Sequence, residues 1–551
     1  MQQATDLGRG GYDGLRLGDV LRLAAPPHRW GARTALIWGD RHYSYAELDA
    51  LSNRTAQALL RQGVRPGERV AVLARNCPEY VWLYFALARL GAVLVPVNFW
   101  YRSGEVEYTL RQSGASTFLF QRQLGPQARA ALAAVDGLRR VLAWGEGEPG
   151  ADEVDLPSAL EEAPPLAPDV PVTPATPHII LYTSGTTGFP KGAVFSQGAH
   201  YLHALAWAMM TGQRAGDVGL LVYPLFHTGG PDCVLLPHFL VGGTVVLQDG
   251  ADPQAMLGAI AAHRVNNVFC VPTVWRRLLA ALDQEAPQAR EPQAREPQAR
   301  AHDVSSVRRC LGSSDTLPPD LLDGILDRFP AEVYVTYGLT EAGCILTYSR
   351  LTRDDRAEID SVGRPHPLVE VAVDAPPGEV GEVLARGPTL MDGYWGLEEQ
   401  TAEALAGGWL HTGDLGRFDQ RGALHLAGRA KDMIVSGGEK VYPLEVERLI
   451  RSLPGVADVA LVGVPDPEWG ESLLACVVRD SGPAGEALRE GAIKDFVRPR
   501  LAGYKCPRYV EFVASLPVTS ATNKVQKGVL RERFRDLGAA RRGRNESGTS
   551  G

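Results

Sequence analysis

The stretch from Arg69 to Val97 limits the folds open to this chain more than any other. Arg69-Val70-Ala71-Val72-Leu73 is a short apolar run of the kind that forms a strand buried on both faces. Pro78 to Leu90 then carries a helical pattern, with proline at its start and Gly91 placed to close its end. Val93 to Val97 is a second apolar run. Strand, helix, strand at this spacing is a βαβ unit, which requires a mostly parallel sheet covered by helices. Thr117 to Phe120 adds a strand. Ser44-Tyr45-Ala46-Glu47 is a capping box, opening a helix with Leu48, Leu51 and Leu59 on one face. The expected fold class is α/β.

The remaining chain falls into blocks. Residues 145–177 are rich in Pro, Glu and Asp and read as a loop crossing between subdomains. A second α/β stretch is expected from Ile179 to about Phe329. Within it, Gln284 to Arg300 repeats the five-residue unit EPQAR. Five is not a solenoid period, and each unit carries a proline, so a solvated and partly helical surface insertion is expected. Residues 365–425 show short strands with Gly-rich turns, such as Gly381-Glu382-Val383-Leu384-Ala385, and read as a β-barrel-like part. After Gly428 the pattern becomes compact α+β. The expected division is a large N-terminal α/β domain over 1–428, a small mobile α+β domain over 429–538, and a disordered tail over 539–551.

Several function classes are excluded or disfavoured. With 551 residues and 45% hydrophobic content, the chain can fill sizeable cores, so wholesale disorder is ruled out. A net charge of −8 argues against a dedicated nucleic-acid binder. From Lys494 onward, however, thirteen Lys/Arg face five Asp/Glu, a local basic excess. Met1 to Asp19 lacks the apolar core of a secretory signal. The longest apolar stretch, Trp82 to Val97, is broken by Arg89 and is too short to span a bilayer. Seven scattered cysteines form no CxxC pair, which fits free thiols in a reducing compartment and a cytoplasmic enzyme. No Ser-His-Asp arrangement or HExxH motif is present.

The strongest chemical signal is Tyr182-Thr183-Ser184-Gly185-Thr186-Thr187-Gly188-Phe189-Pro190-Lys191-Gly192, entered directly from the apolar strand His178 to Leu181. Hydroxyl side chains and glycines let backbone amides and OH groups close around a phosphate chain, and Lys191 adds positive charge. It is not a Walker A loop. Pro190 stands where glycine would precede the lysine, and Gly192 replaces the Ser/Thr.

The run resembles the phosphate loop of the adenylate-forming superfamily, which includes acyl-CoA synthetases, peptide-synthetase adenylation domains and firefly luciferase. The likeness extends over about residues 30–535, and the other family signatures follow in order. Tyr337-Gly338-Leu339-Thr340-Glu341 is similar to the YGxTE motif. The resemblance implies that Tyr337 stacks on adenine, Thr340 contacts the α-phosphate and Glu341 holds Mg²⁺, with Thr183 as a second metal contact. A hard cation bound through one or two protein oxygens and substrate phosphates is ordinary chemistry. Gly312-Ser313-Ser314 matches the segment flanking the adenine, although alone it is an ordinary turn. Asp414, in Thr412-Gly413-Asp414, is implied to accept hydrogen bonds from both ribose hydroxyls.

Gly428-Arg429-Ala430-Lys431-Asp432-Met433-Ile434 resembles the GRxKDxI junction. There Arg429 would meet the ribose, and Lys431 would be the hinge about which the C-terminal domain swings between two catalytic states. Gly437 and Gly438 match the glycine loop that lines the thiol channel; a helix-capping glycine pair is the competing reading. The family ends on LPxT-x-x-GK, whose lysine bridges the carboxylate and the α-phosphate. Here Leu516-Pro517-Val518-Thr519-Ser520-Ala521-Thr522-Asn523-Lys524 has one extra residue, with Asn523 for the glycine. Lys524 is assigned as the catalytic lysine, and Lys527 is the alternative. His227, in Tyr223-Pro224-Leu225-Phe226-His227, matches a motif bordering the acyl pocket, where an imidazole would gate the carboxylate.

The resemblance implies an ATP-dependent, AMP-forming acid:CoA ligase with ATP, Mg²⁺ and coenzyme A as cofactors. Apolar residues Trp207, Met209, Met210 and Trp275 favour a fatty or aromatic acid over an amino acid; a fatty acid is expected, with an aryl or carnitine-type acid as the alternative. Loading of a carrier-protein thiol and a luciferase-like oxygenase are the rivals within the superfamily. Docking of the arginine-rich tail on anionic lipid, a non-catalytic ATP-binding regulator and a homodimer also stay open.

Overall fold

The computed structural model describes residues 16–183, 190–288, 302–313, 317–356, 358–519 and 525–537; side chains of 285–288 and of Ser313 are not included. The chain divides into two compact units. One runs to Thr183 and takes in Pro190–Val371 and Ala385–Leu410; the other takes in Ala372–Leu384 and the chain from His411.

The larger unit is built on two sheets. The first has the strand order Gly393–Tyr394, Lys191–Ser196, Pro177–Thr183, Val93–Val97, Arg69–Leu73, Thr117–Gln121, Arg140–Trp144 and Val154–Asp155. Its strands from Pro177–Thr183 to Val154–Asp155 pair in parallel. Lys191–Ser196 and Gly393–Tyr394 close one edge antiparallel. The expected βαβ unit lies at its centre. The helix Pro78–Leu90 begins on Pro78 and ends at Gly91, whose φ of 59° puts it in the left-handed region that glycine occupies without strain. Nearly every side chain of this helix is buried, so it shows no polar face. Each large apolar side chain buried there contributes about 1.5–3 kcal/mol.

The second sheet has nine strands: Arg364–Pro365, Thr347–Leu351, Glu332–Tyr337, Arg309–Ser313, Asn267–Phe269, Val218–Leu221, Thr244–Leu247, Thr34–Trp38 and Arg41–Ser44. The middle six are parallel. The two sheets are interleaved along the sequence, which corrects the expected block boundaries. Strand Pro177–Thr183 belongs to the first sheet, beside Val93–Val97. Thr34–Trp38 crosses to the second, beside Thr244–Leu247.

The capping box forms as read: the Ser44 hydroxyl accepts from the Glu47 amide, and the Glu47 carboxylate accepts from the Ser44 amide. Residues 145–177 are more than a loop. They hold the strand Val154–Asp155 and the helix Leu156–Glu161, and the chain beyond is tied down by Arg54 and Gln57, which donate to the carbonyls of Ala163 and Leu166. The helix Pro272–Gln288 carries the first residues of the EPQAR repeat; the rest of the repeat lies outside the described residues.

The β-rich region is not a barrel. Among the described residues it is a four-stranded sheet, Glu370–Asp374, Gly381–Arg386, Leu410–Phe418 and Leu424–Arg429, whose path does not close. The C-terminal part forms a five-stranded sheet. Glu439–Val441, Ile434–Ser436, Gly470–Arg479 and Val456–Asp466 follow in order, and Tyr509–Phe512 pairs with Gly470–Arg479. Apolar clusters cover both faces: Val446, Ile450 and Ile493 on one, Leu516 and Leu530 on the other.

Candidate active site

In the larger unit, the residues singled out from sequence gather at the carboxyl ends of parallel strands, where open α/β sheets bind ligands. Thr183 ends its strand, and Lys191 starts the antiparallel return directly opposite it. The Thr183 hydroxyl donates to the Lys191 carbonyl at 3.4 Å. Ser184, Gly185, Thr186, Thr187 and Gly188 lie outside the described residues. The neck of this loop is clamped by the helix Ser103–Ser113. Tyr108 donates to the Pro190 carbonyl at 2.9 Å, and Tyr182 donates to the Gln112 amide oxygen. A side chain at 192 would collide with Ile180, 2.5 Å from its Cβ, so Gly192 is needed for packing at the neck.

Gly312 and Ser313 end the strand Arg309–Ser313, and the Gly312 carbonyl accepts from the Thr336 hydroxyl at 3.1 Å. Ser314 lies outside the described residues. Tyr337 ends the neighbouring strand and is buried. Gly338 then makes the tightest backbone approach of the site: a Cβ there would stand 2.0 Å from the Cys344 carbonyl oxygen. That contact folds residues 338–345 into a compact turn, with Thr340 and Glu341 half-buried on it.

Sequence reasoning missed the group that organises this corner. Tyr394 donates to Glu341 Oε1 at 2.9 Å, and its ring lies under the Lys191 ammonium, 4.9 Å from Nζ to the ring centre. Burial first, and then the negative charge of Glu341, push the Tyr394 phenol well above its usual range, so it stays a donor. The signal was present as Gly393-Tyr394, but nothing in a short Gly-Tyr pair announces a partner 53 residues away.

His227 lies in a loop held by Asn76, whose amide donates to the Tyr223 carbonyl at 2.8 Å and accepts from the Leu225 amide at 2.8 Å. The Gly229 amide donates to His227 Nδ1 at 3.3 Å, which leaves the neutral ring's proton on Nε2. Nearby, Trp207 and Phe269, both buried, and Tyr223 pack ring to ring with centroids 5.9 and 5.1 Å apart, and Gly229 lies against Phe269 and Tyr223. Cys233 and Cys344 meet sulfur to sulfur at 3.5 Å. Two apolar residues expected at a pocket are elsewhere. Met209 is 63% exposed, and Trp275 is packed against Phe329 in the core of the nine-stranded sheet.

In the smaller unit, Asp414 and Arg429 are cross-strand partners, with Arg429 Nε 3.1 Å from the Asp414 carboxylate. Gly413 has a φ of 68°, and the Asp414 amide donates to the Thr412 hydroxyl. Lys431 stands on a short 3₁₀ turn, Ala430–Asp432, braced by Arg531, which donates to Asp432 at 2.8 Å. Burial and the neighbouring Arg429 lower the Lys431 pKa. Gly437 and Gly438 cap no helix. They are the two-residue turn between Ile434–Ser436 and Glu439–Val441, both with positive φ, the geometry of a tight hairpin. A side chain at 437 would meet Trp469 at 2.5 Å.

Lys524 lies outside the described residues, in the span 520–524; beside it, Val518 and Val525 are bridged. Lys527, the alternative lysine, is held in an ion pair. Its ammonium is 2.7 Å from Glu447, which is buried and also accepts from the Leu461 amide.

The donor set suits a hard cation carried in on a nucleotide. Glu341 would offer an anionic oxygen, and Thr183 and Thr340 would add hydroxyls. Among the described residues no group of three or more His, Cys, Asp or Glu is placed to hold a metal without such a partner. Described residues also include no helix long and apolar enough to cross a membrane.

A strand that ends at Thr183 and returns from Lys191, the Glu341 turn tied to it through Tyr394, and a small α+β unit are features that known nucleotide-dependent acid-activating enzymes also match in sequence. The AMP-binding enzyme family model matches residues 23–395, and that of the AMP-binding enzyme C-terminal domain matches residues 445–522. Feruloyl-CoA synthase from Amycolatopsis sp is 38% identical over 529 residues, covering 95% of this chain and 99% of that protein. The long-chain-fatty-acid–CoA ligase FadD13 of Mycobacterium tuberculosis is 33% identical over 503 residues, covering 90% and 94%. ATP-bound MatB from Rhodopseudomonas palustris superposes with a TM-score of 0.82 at 28% identity, covering 95% of this chain and all 100% of that one. The chain belongs to the AMP-binding enzyme family, in its acyl-CoA synthetase branch. It is an AMP-forming acid–thiol ligase that uses ATP, Mg²⁺ and coenzyme A.

Proposed function

We propose that this ligase activates an acid with an aromatic body, and that the residues named from sequence carry its two half-reactions. The observation behind the substrate is the 38% identity to a feruloyl-CoA synthase, over 95% of this chain. The packed rings of Trp207, Phe269 and Tyr223 near the His227 loop make that side of the molecule rich in aromatic groups. A fatty acid, expected from the sequence and acted on by the relative FadD13, is the competing substrate.

In the first half-reaction the acid's carboxylate attacks the α-phosphate of ATP and pyrophosphate leaves. Thr183, Ser184, Gly185, Thr186, Thr187, Gly188 and Lys191 hold the departing phosphates. Gly312, Ser313, Ser314, Tyr337 and Gly338 receive the adenine, and Asp414 and Arg429 the ribose. Thr340 touches the α-phosphate, and Lys524 offsets the charge that builds as one anion approaches another. Mg²⁺ held by Glu341, with Thr183, would withdraw charge from the phosphate oxygens. His227 gates the carboxylate. In the second half-reaction the coenzyme A thiol attacks the acyl-adenylate carbonyl and AMP leaves. Residues 429–538 turn about Lys431 between the two steps, bringing the Gly437–Gly438 hairpin to the thiol. Holding the reactants side by side supplies much of the rate. The compartment we infer is the cytoplasm.

The test is pyrophosphate release with ATP and Mg²⁺ across acetate, octanoate, palmitate, benzoate, cinnamate, ferulate and carnitine, with and without coenzyme A. Coenzyme-A-stimulated turnover confined to the ring-bearing acids is expected. Turnover confined to octanoate and palmitate would replace the aryl reading with the fatty-acid one, and release indifferent to coenzyme A would move the acceptor to a carrier-protein thiol.

A further inference from the structure

We propose that Tyr394 is a positioning residue of the adenylation site, seating the Lys191 ammonium on its ring face and aiming the Glu341 carboxylate with its hydroxyl. The inference rests on the reading of Lys191 as a phosphate contact and of Glu341 as the Mg²⁺ ligand.

The geometry is that of a strut. Residues 391–394 are fastened at both ends to the two loops in question. The Met391 amide donates to the Glu341 carbonyl at 2.9 Å, fixing the backbone of the carboxylate turn. Gly393 and Tyr394 pair with Val194 and Ala193, the strand that Lys191 begins. The Trp395 amide donates to the Gly192 carbonyl at 2.8 Å, and the Trp395 carbonyl accepts from Gln112, the helix residue that also receives the Tyr182 hydroxyl. Tyr394 is held along its length as well. Its amide donates to the Thr401 hydroxyl at 2.9 Å, and a Cβ on the preceding Gly393 would stand 2.7 Å from the Thr401 methyl. Only glycine fits there, with φ at 152°, so the tyrosine that follows has one place to go.

Two things follow for the chemistry. By donating to Oε1, the phenol restrains the Glu341 carboxylate, an arrangement in which an outer partner orients a metal-binding group. Through the ring, the same side chain sets where Lys191 can place its charge, since an ammonium is attracted to the face of an aromatic ring. One residue thereby fixes the relative positions of the cationic and anionic members of the phosphate site.

Three variants test this, each checked for an unchanged fold by circular dichroism: Tyr394→Phe, Tyr394→Leu and Glu341→Gln. Metal affinity is read by Mn²⁺ electron paramagnetic resonance in the presence of a non-hydrolysable ATP analogue. Kinetics are read by ATP–pyrophosphate exchange against Mg²⁺. Tyr394→Phe is expected to weaken Mn²⁺ binding about 10- to 100-fold, the usual effect of losing an outer-sphere partner. Its exchange rate should be restored by excess Mg²⁺, with little change in analogue affinity without metal. Tyr394→Leu should in addition raise the KM for ATP, because Lys191 loses its seat. Wild-type Mn²⁺ affinity in Tyr394→Phe, alongside a large loss in Glu341→Gln, would overturn the proposal alone. Wild-type affinity in Glu341→Gln would overturn the metal assignment beneath it.

Discussion

At the scale of single residues, the two lysines near the C-terminus call for different tests. Lys527 is committed to Glu447, an acid buried to 6% exposure that would be left without its cation if the lysine were removed. Truncating one partner of such a buried pair costs about 3–5 kcal/mol. Lys527→Ala should therefore lower the thermal midpoint of the C-terminal part, read by calorimetry. Lys524→Ala should do the opposite in both respects: stability near wild type, adenylation abolished, and thioester formation from supplied acyl-AMP largely kept. Full ATP–pyrophosphate exchange in Lys524→Ala would remove its catalytic assignment. The extra residue before Lys524 leaves the choice between these lysines open in the sequence, and the buried partner of Lys527, invisible in a linear reading, favours Lys524.

At the scale of elements, turns were legible wherever backbone sterics demand a particular residue. Gly91 was read as a helix terminator and sits at a φ of 59°. The pair Gly437-Gly438 was compatible with either a helix cap or a loop, and the structure makes it a hairpin, because Ser436 and Glu439 pair antiparallel across two glycines of positive φ. Gly338 is more demanding, since its constraint is a neighbour and not a torsion angle. Gly338→Ala would force the Cβ against the Cys344 carbonyl, so the turn bearing Thr340 and Glu341 must move. The expected result is a protein that folds but loses at least about tenfold in adenylation, since small displacements at a reacting site cost up to about 100-fold. Wild-type exchange rates in that variant would mean the turn relaxes without consequence. Lys431→Pro belongs here as well. Proline fixes φ near −65°, so adenylation and thioester formation, assayed separately, should respond unequally, while an equal effect on both would argue against a hinge.

For the molecule as a whole, strands and helices could be read from periodicity, but the assignment of strands to sheets could not. Pattern reports which residues are apolar; it says nothing of which of two similar sheets will accept them. Thr34–Trp38 and Pro177–Thr183 each ended in the sheet that sequence proximity did not suggest. The strand running into Thr183 and the turn after Tyr337 were legible because their patterns are local. Tyr394 was not, because its role depends on a contact across 53 residues.

The crossing of Thr34–Trp38 into the nine-stranded sheet also has a bearing on how the protein is made. Its partner Thr244–Leu247 lies 210 positions further along the chain. At translation speeds of 5–20 residues per second, the N-terminal hairpin leaves the ribosome about 10–40 s before that partner does. During this interval the apolar residues Ala35, Leu36 and Ile37 have no sheet to join. Biosynthesis of this chain therefore includes a waiting period with an unpaired, apolar strand edge, the kind of surface that invites pairing with other chains.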